Sequence, residues 1–308
     1  MIQLNNLTKK YDGKTVVDHL DVTFKPGVVT GFLGPNGSGK STTMKMMISL
    51  VRPTFGDVSF DGETYASFTR PIQKIGALID PAAMDVNLTA RQHLNLISTA
   101  ANLEKGRVEK LLNKAGLAKV QNHKIKSFSL GMKQRLGVAS ALLSDPDTII
   151  FDEPFNGLDV DGIKWLRTLL KQLAEEGKTV IVSSHLMSEI EAVADRIIII
   201  AQGKLLADMT VEEMNQKSLS SYVYVEADDL AEIAQVLKEH HADVIQLNEG
   251  LEVRHLNAKE IGRLAHEHRI ALHQLKNVQP TLEHLFTEIT EGKVDYKASD
   301  LEGVDENG

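Results

Sequence analysis

At 308 residues, 42% hydrophobic and 25% charged, the chain has the composition of a globular protein with room for two domains. Its net charge of −8 argues against a binder of nucleic-acid backbones, which usually presents a basic face, so no nucleic-acid partner is expected. It has no cysteine, which excludes disulfides and thiolate metal sites.

The opening MIQLNNLTKKY has no apolar signal region and reads directly as structure. Apolar residues at Ile2 and Leu4 begin a strand that ends at the turn Tyr11-Asp12-Gly13. A second strand covers Val16 to Phe24 and is broken by Lys25-Pro26-Gly27. Val28 to Leu33 is a short apolar run entering a glycine-rich loop, and Thr42 to Leu50 follows with helical character. From about Pro81 to Asp147, segments such as Thr89 to Leu103 and Arg107 to Ala115 read as helices without strands, which predicts a helical insertion. Apolar, β-branched runs recur at Thr148 to Phe151, Thr179 to Ser183 and Arg196 to Ala201, the pattern of strands covered on both faces. Between them Ile163, Leu166, Leu170 and Leu173 form a helical stripe that stops at Gly177. Strands alternating with helices predict an α/β class with a largely parallel sheet. The apolar runs fall far short of the roughly 20 residues that a spanning helix needs, so a cytoplasmic chain with no direct membrane insertion is expected.

A second unit begins near Leu219. Tyr222 to Glu226 alternates as a strand, and Leu230, Ile233 and Leu237 mark a helix face. Val244 to Leu247 and Leu251 to His255 flank Asn248-Glu249-Gly250, a hairpin signal. Ile261 and Leu264 mark another helix, followed by a strand over Ile270 to Leu275 and a helix over Thr281 to Thr290. The order β-α-β-β-α-β predicts a small ferredoxin-like α+β domain over 219–290 behind a first domain of 1–216. The acidic tail 291–308 has little to bury and is expected to be disordered.

Gly34-Pro35-Asn36-Gly37-Ser38-Gly39-Lys40-Ser41, followed by Thr42, has the pattern of a phosphate-binding loop. Its glycines let successive N–H groups converge on a phosphate, and the following helix points its N-terminus at the same charge. Lys40 is expected on the β- and γ-phosphates and the Ser41 hydroxyl on Mg²⁺. The bland alternative is a glycine-rich turn that contains a lysine, but here the loop follows an apolar strand and precedes a helix. Thr148 to Phe151 runs into Asp152 and Glu153, which would place Asp152 beside the same ion and Glu153 where it can take a proton from water.

The decisive segment, Ser127-Phe128-Ser129-Leu130-Gly131-Met132-Lys133-Gln134-Arg135-Leu136, resembles the signature of ABC ATPases. The resemblance covers roughly Met1 to Gln216 and implies a P-loop NTPase core with a helical subdomain. It also implies ATP with Mg²⁺ and a head-to-tail dimer in which Ser129 and Gly131 meet the γ-phosphate held by a second copy. Leu130 replaces the family's usual glycine and Met132 its usual glutamine. Asn156-Gly157-Leu158-Asp159 is similar to the family's loop that communicates across the dimer. His185 is similar to the histidine that contacts the γ-phosphate, and Tyr11 to the aromatic that stacks on adenine. Asp80 ends Ile75-Gly76-Ala77-Leu78-Ile79-Asp80 where the family has a metal-contacting glutamine; a carboxylate there can still serve a cation. Asp80 together with Ser-Leu-Gly-Met-Lys-Gln resembles the bacitracin-resistance and lantibiotic-immunity branch. The implied protein is an ATP-hydrolysing subunit, peripheral on the inner face of the cell membrane. It would drive export of membrane-active peptides through a separate multi-spanning permease. The alternatives are a non-transport ABC clamp on a soluble assembly and an exporter of ions or lipids.

Overall fold

The computed structural model describes residues 1–217, 222–278 and 282–290. The chain folds as two compact units, one built on Met1–Val211 and the other on Glu212–Leu285, with Phe286 to Thr290 grouped with the first. The division falls a few residues before the expected end of the first domain at Gln216.

The first unit opens with β1 (Ile2–Tyr11), β2 (Lys14–Phe24), β3 (Val28–Leu33) and α1 (Lys40–Met47), then β4 (Phe55–Phe60) and the short β5 (Glu63–Thr64). It continues with β6 (Ile75–Leu78), α2 (Ala90–Ala100), α3 (Arg107–Lys114), α4 (Leu130–Ala141), β7 (Thr148–Phe151) and α5 (Val160–Glu175). β8 (Thr179–Val182), α6 (Met187–Glu191), β9 (Arg196–Ala201) and β10 (Lys204–Thr210) complete it.

These strands make two sheets. One is antiparallel, in the order β2-β1-β4-β5. The other has the order β10-β9-β3-β8-β7-β6 and is parallel except at its edge strand β10. Every residue of β7 and β8 is buried, as an apolar strand covered on both faces requires. The antiparallel sheet is an addition to the single largely parallel sheet that the sequence suggests. Its β4, with sequence FGDVSF, exposes its first three residues and buries only the last three, so it carries no alternation to read.

Helix α1 is held between the sheets. Met44, Met46 and Met47 share one core with Leu4, Leu20 and Phe24 of the antiparallel sheet and with Phe32, Ile150 and Ile198 of the parallel one. Phe24 and Phe32 meet edge to face with centroids 5.9 Å apart, an arrangement that adds to the area buried. Phe32→Ala is therefore expected to cost about 3–5 kcal/mol, measurable as a lowered denaturation midpoint. A loss below about 1 kcal/mol would mean that this seam repacks freely.

Helices α2, α3 and α4 form a separate cluster around Leu94, Leu112, Phe128 and Leu136. α2 starts on a capping box in which Thr89 Oγ1 accepts from Gln92 N and Gln92 Oε1 accepts from Thr89 N.

The second unit contains β11 (Tyr222–Ala227), α8 (Leu230–Glu239), β12 (Asp243–Gln246), β13 (Leu251–Arg254), α9 (Ala258–Glu267) and β14 (Leu272–Val278); α7 (Val211–Lys217) leads into it, and α10 (Leu282–Thr290) follows, its residues from Phe286 on being grouped with the first unit. Its antiparallel sheet has the order β12-β13-β11-β14, the order of a split β-α-β unit. Val223, Val225, Leu251 and Val253 pack against Ile233, Leu237, Ile261 and Leu264 of α8 and α9. The tail expected to be disordered, 291–308, lies outside the described residues. Among the described residues no helix is long and apolar enough to cross a membrane.

Candidate active site

The loop between β3 and α1 is shaped by its backbone. Gly39 caps α1 at φ 104°, and a Cβ there would stand 2.7 Å from Val16 O. Any other residue would carry both backbone strain and a clash. Ser38 N donates to Pro35 O at 3.1 Å, and Gly203 N donates to Ser38 O at 3.0 Å, fastening the loop to the β9–β10 turn. Lys40 is buried, and its Nζ donates to Gly34 O at 2.6 Å and Pro35 O at 3.1 Å. Burial holds its pKa below the usual lysine value, against the opposing pull of Glu153 and Asp152.

The parallel pairing of β7 and β8 sets Phe151 opposite Val182. The next residues are therefore neighbours. Ser183 Oγ donates to Asp152 Oδ1 at 2.5 Å and accepts from Glu153 N at 2.9 Å. Glu153 adopts φ 51°, a left-handed conformation that a side chain rarely takes without surrounding support. Its carbonyl accepts from Gln134 Nε2 at 2.9 Å and from Asn156 N at 3.3 Å. Its carboxylate Oε2 accepts from His185 N at 3.2 Å and pairs with His185 Nδ1 at 2.7 Å.

A pocket of about 230 Å³ is lined by Val16, the loop from Asn36 to Thr42, Asp152 and Glu153. The structure thus brings Asn36, Gly37, Ser38, Gly39, Lys40, Ser41 and Thr42 together with both carboxylates. Gly34 accepts from the Lys40 ammonium, and His185 reaches the pocket through Glu153.

Other candidates lie elsewhere. Tyr11 is an exposed residue at the end of β1, with the Lys9 ammonium 4.8 Å from its ring centroid, and does not line the pocket. Asp80 also lies outside the lining; its Oδ1 accepts from Ala82 N at 2.8 Å and caps a short turn at Pro81–Ala83.

Ser129 and Gly131 stand at the start of α4, away from this pocket. Ser129 Oγ accepts from Met132 N at 3.3 Å as the helix cap. A Cβ on Gly131 would sit 2.5 Å from Gly157 O, so the first turn of α4 lies directly on the Asn156–Asp159 loop. Asp159 Oδ1 accepts from Gly162 N at 2.8 Å, capping α5, and pairs with Arg135 at 3.5 Å. The Gly162 N–H, aided by the Arg135 charge, holds the Asp159 carboxyl below the usual range.

Two residues of this arrangement were not singled out by the sequence. Ser183 acts only through strand register, and Gln134 lies inside the signature segment with no motif role of its own. Among the described residues no group of three or more His, Cys, Asp or Glu could hold a metal by itself. Ser41 and Asp152, a hydroxyl and a buried carboxylate on one pocket, are hard oxygen donors. That set suits Mg²⁺, which typically takes one or two protein ligands and completes its shell with water and phosphate.

Residues 17–156 match the family model described as "ABC transporter", and residues 221–283 match a domain of unknown function. The uncharacterized ABC transporter ATP-binding protein YhcH of Bacillus subtilis is 36% identical over 296 residues, 94% of this chain and 96% of the relative. The bacitracin transport ATP-binding protein BcrA of Bacillus licheniformis is 38% identical over 247 residues, 79% of this chain and 80% of the relative. Among solved structures, the dimeric ATP-binding cassette MJ0796 in a post-hydrolysis state with ADP and Pi matches with a TM-score of 0.64. It is 29% identical and covers 68% of this chain and 99% of its own.

Proposed function

The chain belongs to the ABC transporter ATP-binding family, an ATP-binding and ATP-hydrolysing subunit, and from that premise we propose that it drives export of membrane-active peptide antibiotics through a separate permease. The observation that carries the catalytic half is the convergence of the 36–42 loop, Asp152 and Glu153 on one pocket, with the Glu153 carboxylate fastened to His185. The peptide half is supported by the similarity to a relative named for bacitracin transport and by the signature variant with Asp80.

In this reading two copies act head to tail, as the dimeric form of a related cassette suggests. Lys40 and the loop N–H groups neutralise the phosphates of ATP, while Ser129 and Gly131 of the second copy meet its γ-phosphate. Ser41 and Asp152 would hold Mg²⁺, which would offset charge on the phosphate oxygens. Glu153 takes a proton from water as its oxygen bonds to the γ-phosphorus, and the bond to ADP breaks. His185 keeps the carboxylate turned into the pocket. Moving a dimer from 1:99 to 99:1 closed needs about 5.5 kcal/mol of differential binding, which the two shared γ-phosphates would have to supply together. Hydrolysis then removes the bridge and lets the dimer reopen beneath a permease on the inner face of the membrane.

Gly131→Ala tests the shared site. Its methyl would strike the Gly157 carbonyl, a backbone atom that cannot swing aside. ATP binding by the isolated chain should stay within about twofold of native, while steady-state hydrolysis drops about tenfold or more through misplaced signature contacts. Unchanged hydrolysis would remove Gly131 from the interface.

The transport claim is tested by capturing a tagged Glu153→Gln chain with ATP from detergent-solubilised native membranes. A stoichiometric multi-spanning protein is expected, and recovery of soluble assemblies alone would overturn transport while leaving the ATPase intact. A deletion strain should then lose tolerance to bacitracin or a lantibiotic. Undiminished tolerance to both would overturn the peptide cargo.

A further inference from the structure

Glu153 is fixed at every polar group it has. Ser183 Oγ takes its N–H, Gln134 and Asn156 share its carbonyl, and His185 holds its carboxylate. Asn156 lies three residues along the same turn, and Ser183 and His185 both come from the segment that leaves the neighbouring strand β8. Gln134 has a different origin: it is in the second turn of α4, the helix that begins at Ser129 and Gly131.

Gln134 is only 2% exposed, and its Oε1 is buried without a partner. Glutamine is seldom so deeply buried, and a half-satisfied amide is less favourable in a core than an apolar side chain of the same shape. Its bond is spent on the backbone of Glu153, the one non-glycine residue lining the pocket with a left-handed φ. A group that is costly to bury and whose hydrogen bond fixes an unfavourable backbone conformation is placed for a purpose other than packing.

We propose that Gln134 is a positioning residue: from α4 it holds the Glu153 peptide in its left-handed conformation and so keeps the carboxylate aimed at His185 and the pocket. This rests on the proton-accepting role proposed above for Glu153. α4 is one helix of twelve residues. Its first turn, which in that reading meets the nucleotide of the second copy, and the Gln134 amide therefore move as a unit. A displacement at Ser129 and Gly131 arrives at the Glu153 carbonyl of the same chain. The helix thus links the site that it completes in the other copy to hydrolysis in its own.

The test uses the full chain with Gln134→Met, close in shape but without the N–H donor. Asn156 N still bonds the Glu153 carbonyl in that variant, so the peptide is not left bare. The expected result is a kcat reduced about 10- to 100-fold, the effect of a catalytic group displaced by about an ångström. KM for ATP and calorimetric ATP affinity should stay within about twofold of native, which also certifies the fold. Adding Gln134→Met to Glu153→Gln should cause no further loss, because both act through one carboxylate. Gln134→Leu serves as a second donorless variant if the methionine chain melts early.

A folded donorless variant with native kcat would overturn the proposal. So would a loss confined to KM, or a multiplicative loss in the double variant. The two readings fail separately. If Glu153→Gln itself turns over at the native rate, the role of Glu153 falls and this inference falls with it. If Glu153→Gln is inactive and Gln134→Met is not, only Gln134 is misassigned.

Discussion

Glu153→Gln is expected to bind ATP as tightly as the native chain and to hydrolyse it about 10²–10⁴ times more slowly, the usual worth of a positioned general base. The carboxamide has nearly the shape of the carboxylate, and the backbone contacts that hold the residue, Ser183 Oγ on its N–H and Gln134 Nε2 on its carbonyl, do not involve the side chain. What is lost is an oxygen able to take a proton from water. A carbonyl oxygen can still accept from His185 N, so the side chain stays near its native place. The slow step should then be hydrolysis alone, and the ATP-bound dimer should accumulate. Single-turnover kinetics beside size-exclusion chromatography with ATP would show both effects. Turnover within about threefold of native would mean that water loses its proton elsewhere.

How much of this was legible in the sequence depends on distance along the chain. β3, β7, β8 and β9 were readable because a parallel strand buried on both faces must be an unbroken apolar run. β1 was readable from its ends, yet its pairing was not: register shifts after Leu4 and Leu7 break the alternation against β2. β4 and β10 carry no such signal, because half of β4 is exposed in one block and no residue of β10 is fully buried. α1 begins at Lys40, two residues before the helical character of Thr42 to Leu50 sets in. Its cap is Gly39, a glycine in a left-handed conformation rather than a serine or aspartate that announces a helix.

The candidate site divides in the same way. The loop from Gly34 to Thr42 is contiguous, so its composition and its geometry are one signal. Asp152 and Glu153 could be placed because a strand ends at them. Ser183 could not, because it meets Asp152 only through the pairing of β7 with β8. Gln134 was hidden for a related reason. A glutamine in the second turn of a helix is ordinary, and only the fold reveals that it is buried against a strained peptide nineteen residues away. Tyr11 and Asp80 show the converse. Each stands at the right place along the chain, yet neither lines the pocket.

Lys40→Met is the second large expectation. The native ammonium donates to Gly34 O and Pro35 O, contacts within its own loop. Turned to a phosphate, the same group makes charge-assisted bonds worth about 1.5–3 kcal/mol each. Losing one or two of them should weaken ATP binding roughly 10²-fold or more, at 1.4 kcal/mol for each factor of ten. The signature of that loss is thermal. At about 100 times Kd, ATP stabilises the native chain by about 2.7 kcal/mol, a rise of roughly 5–10 °C for a unit of this size. Lys40→Met should show almost none of that rise at the same ATP concentration. Without nucleotide its melting temperature should lie close to native. The variant gives up two hydrogen bonds, but it also relieves a buried cation whose pKa is already pulled down by desolvation. The pH sign follows from that direction. A lysine with a folded pKa below its unfolded value destabilises most at neutral pH, where both states are charged, and the penalty is relieved as pH rises through the folded pKa toward the unfolded one. Any advantage of Lys40→Met without ATP should therefore shrink in alkaline buffer. An undiminished ATP-dependent rise in the variant would show that Lys40 does not face the phosphates, and the loop would lose its central residue.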